Sequence, residues 1–595
     1  MKNIIHFIVF AFALSSSLVF GQIATPQTDK LKTDVTYLAS QELAGRKSGT
    51  EGDSLAAVYI RKHFSDNGAR LLGNNGFQYF GIIAEVIPGP NNSFSVADRK
   101  YELGKDFMPF SFSTSETIES EVVFAGFGIS GSSGDLNWDD FLGLDIKGKW
   151  VIALRGDPEP DNTKSAFIPM STDRAKALTA RDRGAAGILL VSPASIDRKD
   201  QPVDIAFDKT VSDAGIPVIS ITRNLASVVL GLPPSAIDSL EKIMISGRTP
   251  VKVTGLRSVK ATSEVLRKKV TTRNIMAMIP GSNPLLKDEI VVVGAHYDHL
   301  GMGGEGSGSR VPDTIAVHGG ADDNASGVSS LLALAAYYSA ESNRPGRSIL
   351  LVSFGAEEMG LLGSRYFVAH CPVDLKSIKA MVNLDMVGRL DIGNPVVTIS
   401  GTGTFTKADS LLDLLAVNRP FSVKKSPDGY GPSDHAAFYS EGIPVLFLTT
   451  GVHDDYHTPS DLASRINFDG QQSVIDFTTD IITALTTMVP SPVFREAGSR
   501  KEAGRYSRNL KVTLGIIPDV SGAETAGGMK VEGTRKDGPA ATAGMIKGDI
   551  ITAINGLPVG NIYDYMSRLG KLKPGETVNV EVLREGKKVV LIIQL

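Results

Sequence analysis

Cysteine is nearly absent: Cys371 is the single thiol in the chain, so no intramolecular disulfide can form and any core must hold by packing or bound metal. It is expected to pack as a small buried hydrophobe. Basic excess is also missing. Lys and Arg number 61 against 65 Asp and Glu, a net charge of −4, which leaves no cationic surface for nucleic acid. There is no long like-charge run, no repeat of solenoid period and no low-complexity tract. Beyond the first 21 residues, no apolar stretch approaches the ~20 residues of a membrane span.

What is present is long and mixed. A chain of 595 residues exceeds a single hydrophobic core, so two to four domains are expected. The opening "MKNIIHFIVFAFALSSSLVFGQ" sets Lys2 before an apolar run from Ile4 to Leu14 and small residues up to Gly21. It reads as a secretory signal peptide over 1–21, with a membrane anchor as the competing reading. An exported protein, periplasmic or extracellular, follows, with no integral span once the signal is removed. In "DSLAAVYIRKHFSDNGAR", Ala56, Ile60 and Phe64 share a helical face and Gly68 stops the helix. From 116 to 262 short β-rich runs alternate with turn signals. From 263 to 490 apolar strands alternate with helical patterns, the signature of an α/β fold with a mostly parallel sheet sandwiched by helices. A polar linker is expected over 491–504. The end, 505–595, is β-rich and closes in a hairpin turning at "REGK".

The α/β segment carries the chemistry. "VVVGAHYDHLG" runs from a buried strand straight into His296, Asp298 and His299. "GGADDNASG" sets Asp322 and Asp323 before a helix, "SILLVSFGAEEMG" ends a strand in Glu357 and Glu358, "AMVNLDMVG" carries Asp385, and "IPVLFLTTGVHDDYHTPSD" leads into His453 and His457. In open α/β sheets, functional groups collect at the carboxyl ends of parallel strands. Imidazoles and carboxylates converging there make an N/O donor set for zinc or a similar divalent ion. A second glutamate beside a ligand glutamate can serve as general base. The glycine-rich stretch 301–309 lacks a P-loop lysine and opens no helix, so a flexible loop at the rim is expected. His318, His370 and His453 taken singly read as structural, and Met302, Met359 and Met386 as packing.

In this order, HxD, GADDNASG, AEE, NLDM and YHT resemble metallopeptidase family 28, the co-catalytic zinc aminopeptidases. The resemblance covers 22–115 and 263–490, the two parts of a peptidase domain of zinc aminopeptidase fold. It implies two Zn2+ per chain: one on His296 and Asp385, the second on Glu358 and His457, with Asp323 bridging. Glu357 would be the general base. Asp298 would accept from the other ring nitrogen of His296 and fix its tautomer. A cis peptide is implied after Asp323. Tyr430, ahead of the SDH triplet with Asp434 and His435, matches a tyrosine that donates to the oxyanion in some members. Tyr456 competes for that role, and Tyr430 is preferred. The resemblance gives His299 no role, so a structural or substrate-side place is expected.

Residues 116–262 resemble a protease-associated insert, on "VFAGFGI", "DIKGKWVIALRG", "ARDRGAAGILLV" and "IPVISIT". It implies no catalytic residue but a role in covering or shaping the cleft, against a purely structural alternative. Residues 505–595 resemble a PDZ domain, with Leu514, Gly515 and Ile516 at the carboxylate-binding loop. Peptide C-termini would be a ligand class there, against a reading as a spacer. The whole implies an exported two-zinc aminopeptidase acting on peptides with a free N-terminus. The alternatives are a carboxypeptidase of the same family or a non-catalytic peptide-binding protein on the same scaffold. A glutaminyl cyclase fits less well, since both metal positions are filled.

Overall fold

A computed structural model describes residues 28–133, 136–162, 165–207, 213–233, 235–247, 253, 257–497, 512–518, 527–534, 538–560 and 562–595. The expected signal peptide, 1–21, lies outside the described residues, as do residues 498–511 of the expected linker and the start of the last unit. Residues 491–497 lie on the peptidase domain: Phe494 pairs with Phe405, and the Ala497 N–H donates to the Tyr439 hydroxyl at 2.9 Å.

Four parallel strands form the centre of a nine-stranded sheet: Ser348–Phe354, Ile290–His296, Ile378–Leu384 and Val445–Thr449, in that spatial order. Nearly every residue in them is buried, as apolar β-branched runs covered on both faces require. Antiparallel strands flank them, Val265–Ile279 on one side and Val396–Ser400 on the other. One face is covered by the helices Thr28–Leu38, Glu51–Asp66, Gly327–Ser339 and Phe468–Thr487, the other by Leu362–Ala369 and His435–Ser440. Ala56, Ile60 and Phe64 are fully buried on the first face. Their helix is capped by Thr50 and stops at Asp66, with Gly68 beyond it at φ +83°. Cys371 is half-buried at the edge of the opposite core.

The insert has its own eight-stranded sheet and two cores. Its boundary falls earlier than residue 116. Strands Ser93–Val96, Arg99–Tyr101 and Phe107–Pro109 pair within the insert's sheet, the first with Ser258–Ser263 and the last with Val218–Ile221. The short alternating pattern of these strands does not say which sheet takes them; pairing decides. The long strands Phe77–Pro88 and Val265–Ile279 pair with each other and form the stem on which the insert stands. The C-terminal unit is a six-stranded sheet with one core. It closes in the hairpin Thr577–Arg584 and Lys587–Gln594, turning at Glu585 and Gly586, both at positive φ. Among the described residues, no helix is long and apolar enough to cross a membrane.

Candidate metal centre

The acids and imidazoles meet because the central strands are parallel and in register. His296 ends its strand beside Phe354 of the next. Glu357 and Glu358 lie just past that neighbour, in a turn with Ala356 and Leu361 at positive φ. Asp385 directly follows the strand ending at Leu384. Asp323 sits in a wide turn, Ala321–Ser326, that opens the helix Gly327–Ser339. The Asp323–Asn324 peptide is cis. Asn324 ties this turn to the aspartate strand, its amide donating to the Leu384 carbonyl at 2.9 Å.

Two donor groups share Asp323. His296 Nε2 lies 3.2 Å from Asp323 Oδ1 and 3.4 Å from Asp385 Oδ1. His457 Nε2 lies 3.1 Å from Asp323 Oδ2 and 3.4 Å from Glu358 Oε1. His299, expected to be structural or substrate-side, is instead among the donors, with its Nδ1 2.9 Å from Glu358 Oε1. The ligand atoms of His296, Asp323 and Asp385 converge closely enough to hold an ion, as do those of His299, Asp323 and Glu358.

Asp298 plays a different part from the one expected. His296 Nδ1 faces the Asp298 main-chain carbonyl at 3.2 Å, with the carboxylate farther away at 3.8 Å. The carboxylate accepts instead from the Glu357 N–H at 2.9 Å, the Glu358 N–H at 3.4 Å and the Ser48 hydroxyl at 3.0 Å. It holds the glutamate turn, while its own backbone orients the imidazole. The glycine-rich stretch is likewise more than a rim. The Gly308 carbonyl accepts from His457 Nδ1 at 2.9 Å, and Ser309 lies 2.8 Å from His318 Nε2.

The site is a field for positive charge. Burial would lower the proton affinity of His457, yet hydrogen bonds to Asp323 and Glu358 push its pKa up to about 10. His296 is raised in the same sense, by Asp385 and Glu357 against burial. Burial raises the Glu357 carboxyl well above the ordinary range, and the charges of Glu358 and Asp434 add to this while His296 opposes it. Burial and the Asp323 charge would raise Glu358, but hydrogen bonds from His299 and His457 bring it down to about 2. Asp385 Oδ1 is buried with no hydrogen-bond partner among the described residues. That orphaned oxygen facing His296, with carboxylate and imidazole donors around it, fits a bound divalent ion of the zinc type.

The two tyrosines differ. Tyr456 stacks on His457 with centroids 3.8 Å apart, and burial followed by the charges of Asp323, Glu358, Asp385 and Glu357 keeps its phenol protonated. Tyr430 is 36% exposed and packs edge-on against Tyr439. Of the SDH triplet, Ser433 accepts from Asn383 at 2.8 Å, and His435 is buried flat against Phe447.

Asp461 and Arg46 escape a motif reading, and His453 takes the structural place expected of it. Asp461 is fully buried, and its carboxylate accepts the N–H groups of Asp322 and Asp323 at 3.0–3.1 Å. His453, on the loop that carries Tyr456 and His457, has its Nε2 3.3 Å from Asp322 Oδ2. Arg46 is buried under the site and donates to the carbonyls of Tyr297, Gly319 and Gly320 at 2.8, 2.6 and 3.1 Å, tying both donor segments to the N-terminal helices. An isolated Asp or Arg in a loop usually means a solvated side chain, so only the "GR" and "PSD" turns hinted at these.

Residues 274–482 match the family model "Peptidase family M28", and residues 512–595 match that of the PDZ domain. An aminopeptidase of Pseudomonas aeruginosa is 25% identical over 434 residues, covering 70% of this chain and 68% of the relative. Aminopeptidase YwaD of Bacillus subtilis is 25% identical, covering 63% and 70%. Leucine aminopeptidase 1 of Trichophyton equinum is 30% identical over 36% of this chain and 60% of its own. Among solved structures, the aminopeptidase from Aneurinibacillus sp. strain AM-1 aligns at a TM-score of 0.49 and 21% identity, over 80% of this chain and 96% of that one. With five motifs at the carboxyl ends of the central strands and the family match running through them, the chain carries a segment similar to peptidase family M28 over 274–482 and a PDZ domain over 512–595, and it is a hydrolase.

Proposed function

We propose that the protein is an exported aminopeptidase that binds two zinc ions and removes residues from the free N-termini of peptides. The observation that carries this reading is the division of donors around Asp323, one oxygen toward His296 and Asp385, the other toward His457 and Glu358. The aminopeptidase names of its relatives support the direction of attack. Zinc bound there would make water a nucleophile near neutral pH and polarise the scissile carbonyl.

The residues divide the remaining work. Glu357 takes the proton from the attacking water and passes it to the leaving amine, a task suited to a carboxyl whose proton affinity burial raises. The Asp298 carboxylate fixes where Glu357 stands by holding its N–H. Tyr456, kept as a hydrogen donor by its acidic surroundings, offers its hydroxyl to the developing oxyanion. Tyr430 is the weaker candidate, since its ring lies against Tyr439.

The deciding experiment is mass spectrometry of a peptide mixture incubated with the zinc-loaded protein, half the peptides N-acetylated. Stepwise loss from free N-termini alone is expected. Trimming of C-termini, or no cleavage at all, would sink the proposal. Export is read from residues 1–21 and is tested by fractionating producing cells and sequencing the mature N-terminus, with cleavage expected after Gly21.

A further inference from the structure

We infer that His299 is a protein ligand of the second metal position, together with Asp323, Glu358 and His457; this rests on the two-ion reading above. Its ring is fully buried three residues beyond His296. Nδ1 lies 2.9 Å from Glu358 Oε1 and 3.8 Å from Asp323 Oδ2. His457 Nε2 approaches the same two oxygens from elsewhere, at 3.4 and 3.1 Å. The two imidazoles therefore address one pair of carboxylate oxygens, with their rings edge to face at 5.7 Å. Zn–N and Zn–O bonds of ~2.0–2.1 Å in a tetrahedral site put neighbouring donors ~3.3–3.4 Å apart. The four measured separations straddle that value.

The surroundings point the ring the same way. Nε2 is buried with no hydrogen-bond partner among the described residues, so the ring's polar contacts run through Nδ1 to the acids. Room for the ring is made by Gly320, in the left-handed region at φ +56°. A Cβ there would meet His299 Cδ2 at 2.6 Å. The consequence is asymmetry. The position at His296, Asp323 and Asp385 has three protein donors and keeps an open place, as catalytic sites do, while the second has four and is closed, as tight sites are.

The test is metal titration of the full chain, stripped by chelator and refilled with Zn2+ or Co2+, comparing wild type with His299→Ala and His299→Asn. The metal-free variants should unfold at the wild-type midpoint. Expected in both is a fall of at least about 10²-fold in affinity at one of two positions, the other being unchanged. The visible Co2+ spectrum should lose a nitrogen donor and recover when imidazole is added to His299→Ala. Removing an outer hydrogen-bond partner alone costs ~10–100-fold, so a fall of about tenfold with an unaltered Co2+ spectrum would overturn the assignment. Two zinc ions at wild-type affinity in either variant would overturn it outright. If His299→Ala does not fold, the Co2+ spectrum of His299→Asn decides. A wild-type chain binding only one zinc would overturn the two-ion reading itself, and this inference with it.

Discussion

Two regions of this molecule take charge out of water, and they balance it differently. At the insert–PDZ contact, Arg181 and Asp182 of the helix Asp173–Asp182 face Asp564 and Arg568 of the helix Ile562–Leu569. Arg181 reaches Asp564 at 2.8 Å, Arg568 pairs with Asp182, and Lys571 adds to Asp182 at 3.4 Å. Cations and anions there answer one another within the chain. At the carboxyl ends of the central strands, six carboxylates, Asp323, Glu357, Glu358, Asp385, Asp434 and Asp461, outnumber the imidazoles of His296, His299 and His457 that face them, and Arg46 below spends its guanidinium on main-chain carbonyls. A buried charge left unanswered is expensive, so a fold that keeps such a surplus of carboxylates is completed by cations from outside. The first cluster is a fastening; the second is a receptor for metal.

The largest effect is expected at Glu357. On the proposed mechanism, Glu357→Gln should lower turnover by about 10³-fold, within the usual range for a lost general base, while metal content stays that of the wild type. Loss of metal in that variant would make Glu357 a ligand and remove it from proton transfer. Next comes metal itself. Saturating zinc at a thousandfold over Kd stabilises a one-site protein by ~4 kcal/mol, so chelation should lower the unfolding midpoint sharply. Unchanged melting after verified stripping would show that the acid cluster needs no cation.

The fastening should respond to a different lever. Asp182→Ala leaves Arg568, 1% exposed, without its carboxylate, and losing one partner of such a pair costs ~3–5 kcal/mol. Urea titration should show this while zinc content and cleavage of short peptides stay at wild-type levels. Burial would raise the Asp182 carboxyl, but Arg568 and Arg181 hold it below its ordinary value. Its contribution is thus complete above the unfolded pKa of ~3.9 and is lost as pH falls through the lower, folded value. A variant that differs from wild type at pH 7 should converge with it in strong acid, and a gap that persists there would mean the loss is one of packing. The smallest effect is expected at Asp461. Asp461→Asn should weaken zinc binding ~10–100-fold, as outer partners of ligands do, because the N–H groups of Asp322 and Asp323 lose a charged acceptor. Unaltered affinity would show that the turn holds Asp323 unaided.

The strands, their mostly parallel arrangement and the donors at their ends were legible before any coordinates, because buried β-branched runs and a fixed motif order are local properties of the chain. His296, Asp323, Glu357, Glu358, Asp385 and His457 could all be named from them. Three matters were decided only by folding. Strands 93–109 joined the insert because strand pairing, not pattern, assigns a sheet. Asp298 turned its carboxylate to the Glu357 and Glu358 amides, and Tyr456 came to lie in the field of Asp323, Glu358, Asp385 and Glu357, because side-chain direction follows from neighbours distant in sequence. His299, Asp461 and Arg46 gained their places for the same reason: their partners lie roughly 60, 140 and 250–275 residues away, a separation that no local pattern encodes.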